Sequence, residues 1–357
     1  MNIFLYRSYN LIFSKCCKNS LLFLMPYLLL VAPVFGQYSK MTDLFESEEV
    51  LEMQLAFSFK EVRKKKEKKD RTPTVMLFSE SKNEWDSLAV EVRARGNFRR
   101  KTCFFPPLKI RIKKKIRKGG IFENHKNLKL VLPCNDSQGK DDLLVKEYLA
   151  YKLYEVFSSY YFKTRLVDLN ITDVSGRQPK TYAVKGILIE DDKLVAERFG
   201  GKLAKDVQVN PFRLHDTTAV QHDFFQFMIA NTDWSTVAQH NSTLMMVDRK
   251  YIPLPYDFDM AGLVDAPYSV VNESLPIATV RERLYRGVCF DPGVFQQVRA
   301  GYLEKESILW ETFEKNTTLL NPKEVNNMRK FLEYFFDILK DDRKFNNQIL
   351  GACRSIN

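Results

Sequence analysis

The sequence predicts an α+β chain in two lobes, a β-rich N-lobe over residues 37–190 and a helical C-lobe over residues 191–357. Three observations predict it. Through the first third, short runs of apolar residues alternate with polar ones, the period of a strand with one buried face. From about Pro276 to the end they recur at three- and four-residue intervals, the period of an amphipathic helix. Finally, 45% of the 357 residues are hydrophobic and 28% charged, enough apolar material for a core and too much for a disordered polyelectrolyte or a collagen-like repeat.

Residues 1–36 read as a secretory signal peptide. Arg7, Lys15 and Lys18 make a basic start without an acid, Leu21 to Val34 is an apolar run, and Val34-Phe35-Gly36 offers a cut before Gln37. An uncleaved anchor is the alternative, which Pro26 and Pro33 do not exclude. Cys16 and Cys17 precede the apolar run, so neither sits where a lipidated cysteine would follow the cut. The expectation is an exported protein, periplasmic, cell-surface or secreted, with no membrane span after cleavage.

Leu51, Met53, Leu55, Phe57 and Phe59 then alternate as in a strand. A charge run, Lys60 to Arg71, separates this strand from others expected at Thr74 to Phe78 and Ser87 to Arg95. Leu108, Ile110 and Ile112 define the core face of the next strand, with Lys109, Arg111 and Lys113 opposite, and Asn127 to Leu132 follows as another. From Asp141 to about Phe157 the period changes, with Leu144, Glu147, Tyr148 and Tyr151 at i, i+3, i+4 and i+7 of a helix. Strands at Arg165 to Ile171 and Thr181 to Ile189 precede a helix at His215 to Ala230. A hairpin of Ser242 to Val247 and Tyr251 to Leu254 turns at Asp248-Arg249-Lys250. Helices close the chain, among them Pro292 to Lys315 and Pro322 to Lys340. Beyond the signal, Cys103, Cys134, Cys289 and Cys353 allow two disulfides in three connectivities, or four buried thiols. No CxxC occurs, which excludes a zinc ribbon or a thioredoxin-like site.

The densest polar constellation is Asn231-Thr232-Asp233-Trp234 through His240-Asn241, followed by Pro255-Tyr256-Asp257-Phe258-Asp259. A helix end places Asp233 in a loop, and the hairpin carries the chain to Asp257 and Asp259. Oxygen ligands so spaced can bind a divalent cation while one carboxylate stays available as a base, the order that phosphoryl transfer to a hydroxyl requires. Glu147 lies within an apolar stripe, where a lone carboxylate is costly. Either Lys109 pairs with it, or Glu147 lies at the stripe's edge and pairs with a surface base.

With RARGN at 93–97, the Lys-bearing strand at 108–113, the NTD and HN segments and PYDFD, the chain resembles the spore coat protein H-type (CotH) and HipA-type atypical kinase-like families over about Ser87 to Gly262. The resemblance implies a two-lobed kinase-like fold and an ATP- and Mg2+- (or Mn2+-) dependent phosphotransferase. It makes Asp233 the catalytic base, Asn241 and Asp257 the metal ligands, and Asp259 an alternative ligand. Lys109, Glu147, Arg95 and Gly96 become nucleotide-binding residues, with Lys129 and Lys185 as rival phosphate lysines and Glu190 at an interlobe hinge. Eight positions separate Asp233 from Asn241, against five in the protein-kinase loop. The implied acceptor is a protein or envelope-polymer hydroxyl, and a catalytically silent kinase-like binding module of the envelope is the alternative. In a separate chemistry, a phosphohydrolase, His215-Asp216 and His222-Asp223 would join Asp233 around a metal.

The formal charge is +11, from 55 Lys+Arg against 44 Asp+Glu, and residues 1–36 hold three of those bases and no acid. Arg99 to Lys118 carries ten bases and no acid. Such a patch fits a solvated face or an anionic surface partner, whether envelope polymer, lipid head group or acidic substrate. Export makes nucleic acid an unfavoured partner.

Overall fold

The computed structural model describes residues 43–64, 70–81, 84–96, 98–116, 119–205 and 207–355. The expected signal peptide, Cys16, Cys17 and Asn97 lie outside the described residues. Seven strands close into a barrel: β1 (Leu51–Phe57), β2 (Thr72–Ser81), β3 (Glu84–Ala94), β4 (Leu108–Ile112), β5 (Asn127–Val131), β6 (Thr164–Asp173) and β7 (Lys180–Ile189), in the order β1-β2-β3-β4-β5-β7-β6. All neighbours are antiparallel except β1 and β6, which close the ring in parallel with Leu51 opposite Val167 and Phe57 opposite Asp173. The alternation seen in the sequence sorts Leu55, Val92, Ile110, Leu130, Leu169 and Leu188 into the barrel core. It also leaves Arg93, Lys109 and Lys129 side by side in register on another face.

Two short helices, α1 (Phe59–Lys64) and α2 (Phe98–Thr102), belong to the barrel region. Helix α3 (Lys140–Phe157) is buried almost continuously from Leu144 to Tyr154, as a central helix must be when neighbours cover it on every side. Helices α4 (Asp192–Arg198) and α5 (Asp216–Met228) follow. A three-stranded antiparallel sheet comes from β8 (Lys202–Leu203), β9 (Ser242–Val247) and β10 (Lys250–Pro255), in the order β10-β9-β8. The C-terminal helices are α6 (Pro292–Glu304), α7 (Glu306–Thr317), α8 (Pro322–Lys340) and α9 (Asp342–Phe345). The helix expected over Pro292 to Lys315 is broken at Lys305, whose N–H bonds Gly301 O while its ammonium reaches Val156 O at 3.0 Å.

This architecture corrects the expected two-lobed kinase-like fold. The front half is a closed barrel, and the back half carries its own sheet. The described residues belong to one compact unit. One apolar core runs from Leu144 and Leu153 of α3 through Phe224 and Phe225 of α5 to Phe313, Phe335 and Ile349. Helix α3, assigned to the front lobe by its position in the chain, is therefore buried with the C-terminal helices. The physical reason is that alternation specifies which face of a strand is buried and says nothing of which strand it pairs with.

The cysteines pair as Cys103–Cys134 and Cys289–Cys353. Among the described residues, no helix is long and apolar enough to cross a membrane.

Candidate functional site

Two residues beyond the end of α5, the left-handed backbone of Ala230 (φ 49°) turns the chain into the Asn231–Asn241 loop. Asn231 Oδ1 accepts from Asp233 N at 3.0 Å, and the buried Trp234 pins the loop by donating its indole N–H to Asn231 O at 3.0 Å. Ser235 and His240 exchange two backbone hydrogen bonds of 2.9 Å, so Asn241 returns beside Asp233. The Asn241 amide donates to Asp233 Oδ2 at 2.9 Å and to Asp233 O at 2.8 Å, and His240 Nε2 lies 2.9 Å from Asp233 Oδ1. Both carboxylate oxygens are thus oriented while the side chain stays 43% exposed.

Strand β10 delivers the second half. Tyr256 N donates to Asn241 O at 3.0 Å, tying the two segments together. Asp257 adopts φ 64° and donates its N–H to the Tyr151 hydroxyl at 2.9 Å. Phe258 is fully buried against Tyr151 and Phe225, with ring centroids 4.7 and 5.6 Å away, and the acids on either side of it turn toward one base. Ala230, Gln239, Asn241 and Asp257 all have φ near +50 to +64° without being glycine. Such strain persists where the surrounding contacts impose it, and here it marks the site.

The base they face is Arg99 of α2. Its Nη1 is 3.4 Å from Glu147 Oε2, 3.6 Å from Asp259 Oδ2 and 3.8 Å from Asp257 Oδ1, and its Nη2 donates to Leu132 O. Burial opposes the Arg99 charge, yet Asp259 and Glu147 outweigh it and hold the guanidinium firmly protonated. Burial pushes both the Glu147 and the Asp259 carboxyl up, against the pull of Arg99. Glu147 Oε1 and Asp259 Oδ2 are buried without a hydrogen-bond partner in the protein. Sequence reasoning missed the role of Arg99, counted only within a basic run, and those of His240 and Tyr151. The buried stripe position of Glu147 was the signal that a base had to reach it.

The expected Lys109–Glu147 pair is therefore replaced. Lys109 bonds Asp191 at 3.2 Å and the neighbouring Lys129 bonds Asp192, because both lysines face the start of α4. Lys129 is the more buried, lies 5.0 Å from the Tyr256 ring, and has its pKa lowered by burial despite Asp192. Arg95 is close enough to act electrostatically on Glu147, Lys129 and Tyr256. Gly96 makes the following turn with φ 78°. Lys185 pairs with Asp168 at 2.6 Å and is not brought to this group. The Glu190 carboxylate is held by Arg198 at 2.8 Å and by Lys163 N. Of the Arg99–Lys118 run, Arg99 is buried in the acidic cluster and Arg111 and Lys113 approach Glu91, so the run is not one solvated patch.

The histidines of the phosphohydrolase reading are engaged apart. His215 caps α5 by accepting from Thr218 N, whereas His222 is fully buried with Nδ1 2.9 Å from Asp223. Among the described residues, no group of three or more His, Cys, Asp or Glu side chains is placed to hold a metal by itself. Mg2+ held with a substrate's phosphates needs only one or two protein carboxylates. The oxygens available here for such a role are those of Asp257 and Asp259, both facing Arg99, and the Asn241 side-chain oxygen.

Compared with known proteins, the chain matches no family model and no curated protein.

Proposed function

We propose that this cluster binds a nucleoside triphosphate with a divalent cation and transfers its terminal phosphoryl group to a hydroxyl, as an exported ATP-dependent phosphotransferase. The observation that carries the reading is the joining of two segments, an oriented exposed carboxylate at Asp233 and the half-buried Asp257 with the buried Asp259, through Asn241. Asp233 orients the acceptor hydroxyl and takes its proton. Its two oxygens are held by His240 and Asn241, so the carboxylate meets the nucleophile without reorganising. Asp257, Asp259 and Asn241 would hold the cation, and its charge would be available to neutralise the phosphates. Arg95 would supply positive charge toward the phosphates, with Lys109 and Lys129 contributing only on release from Asp191 and Asp192. The acceptor is a protein or envelope-polymer hydroxyl.

The test is phosphate transfer from ATP with Mg2+ or Mn2+, in wild type and in Asp233→Asn and Asp257→Asn. Each substitution is expected to lower turnover at least a hundredfold with the melting temperature nearly unchanged. Full turnover in Asp257→Asn would remove the mechanism. A second reading, a silent ligand-binding module, is favoured by Arg99, which already stands as the counter-ion of Asp257 and Asp259. Millimolar ATP with Mg2+ raises the melting temperature under the first reading and leaves it unchanged if the cleft binds no nucleotide.

A further inference from the structure

A cleft of about 820 Å³ lies between the 265–283 segment and α8, apart from the carboxylate cluster. Helix α8 lines it with Asn327, Lys330, Phe331 and Tyr334, spaced i, i+3, i+4 and i+7 and hence on one face. Across from them, the Arg283 guanidinium stacks 3.9 Å from the Phe331 centroid and 5.6 Å from that of Tyr334, and Arg281 lies 4.6 Å from Phe331.

The charges in this cleft do not balance. Arg281 pairs with Asp265 at 3.1 Å, and Glu282 Oε1 accepts from Ala278 N, Thr279 N and the Thr279 hydroxyl. Arg283 donates to Met228 O and Phe331 O, but among the described residues no carboxylate lies within ion-pair distance of it, and its Nε is buried without a partner. Burial pushes the guanidinium down to about 9, and Arg281 pushes the same way. Lys330 adds an exposed ammonium at the cleft wall. A half-buried cation without a counter-ion is costly, and a guanidinium beside a second arginine and a lysine suits charge-assisted hydrogen bonding to an oxyanion.

We infer that this cleft is a binding site for an anionic group, a carboxylate or a phosphate ester, gripped by Arg283 and Arg281 with Lys330 at its mouth. The inference is independent of the phosphoryl-transfer reading. Its test is titration calorimetry of the full chain with inorganic phosphate and, separately, with tricarballylate. At low salt at least one probe binds, and binding weakens as salt is added. Phosphate alone assigns a phosphate ester, tricarballylate alone a carboxylate ligand. Lys330→Glu and Arg281→Gln, both at accessible positions, are each expected to weaken binding at least tenfold, and Arg283→Met to abolish it. Asp257→Asn binds as wild type. Absence of binding by both probes, wild-type affinity in Lys330→Glu and Arg281→Gln, or equal loss in Asp257→Asn overturns the assignment.

Discussion

Arg99 is one guanidinium facing three carboxylates, so its removal strands buried charge. Breaking a buried pair by deleting one partner costs about 3–5 kcal/mol, because the other partner is left without compensation. Arg99→Met is expected to lose about that much stability in urea unfolding, and Arg99→Met with Glu147→Gln to recover part of it. A result in which the double variant is no better would show that the pair is not coupled. Titration follows from the same burial. Glu147 and Asp259 have pKa values raised above those of the unfolded chain, so the folded state holds protons that the unfolded state releases. Their contribution is fully present below the ordinary carboxylate values, 4.5 for Glu and 3.8 for Asp, and is lost as pH climbs through the raised values. Stability from these two groups should therefore fall with rising pH, and Glu147→Gln should flatten the melting-temperature profile. At this scale much was legible: Asp233, Asn241, Asp257 and Asp259 lie close in sequence, and turn chemistry with a hairpin is enough to gather them. The need of Glu147 for a base was legible too. Which base was not, since Arg99 of α2 and Lys109 of β4 lie ten residues apart and only tertiary packing chooses between them.

At the scale of the element, α2 has five residues and little intrinsic stability, yet it must aim Arg99. Two constraints hold it. Cys103 at its end is bonded to Cys134, and Phe104 N donates to Cys134 O, two residues beyond the Leu132 carbonyl that Arg99 itself grips. Closing a loop of 31 residues stabilises the chain by roughly 3–4 kcal/mol in the chain-entropy model. Cys103→Ser with Cys134→Ser is expected to lose up to that stability and, if the proposed phosphoryl transfer operates, also to weaken nucleotide binding by loosening Arg99. The Cys289→Ser, Cys353→Ser pair should lose stability alone. Thermal melts with and without ATP and Mg2+ distinguish the two. Helices were the elements read best, α8 to its last residue, because a continuous 3.6 period with Asn321 as cap and Pro322 behind it is local information. The break at Lys305 was not readable, since it depends on a carbonyl of α3, Val156, that lies 149 residues away.

At the scale of the molecule, the sequence divides at about residue 190 and the structure does not. Helix α3 is sealed into one core with α5, α7 and α8, so neither side of that division can bury its own apolar surface. A fragment ending at Glu190 is expected to be unfolded or aggregated, and the chain from Tyr38 to unfold in a single transition by both circular dichroism and tryptophan fluorescence. Two separated transitions, or a soluble cooperative 38–190 fragment, would contradict the shared core. The two-lobe expectation erred because composition changes along the chain, β-rich then helical, while burial does not respect that order.

The parallel seam between β1 and β6 also dictates a sequence of events in time. Leu51 cannot meet Val167 until more than a hundred residues of later chain exist, so the barrel's first strand is among the last to find its final partner. Until the seam closes, β1 and β6 both present bare hydrogen-bonding edges beside an apolar interior. A growing or translocating chain would carry that open edge throughout, and refolding from denaturant should be slow and concentration-limited for the same reason.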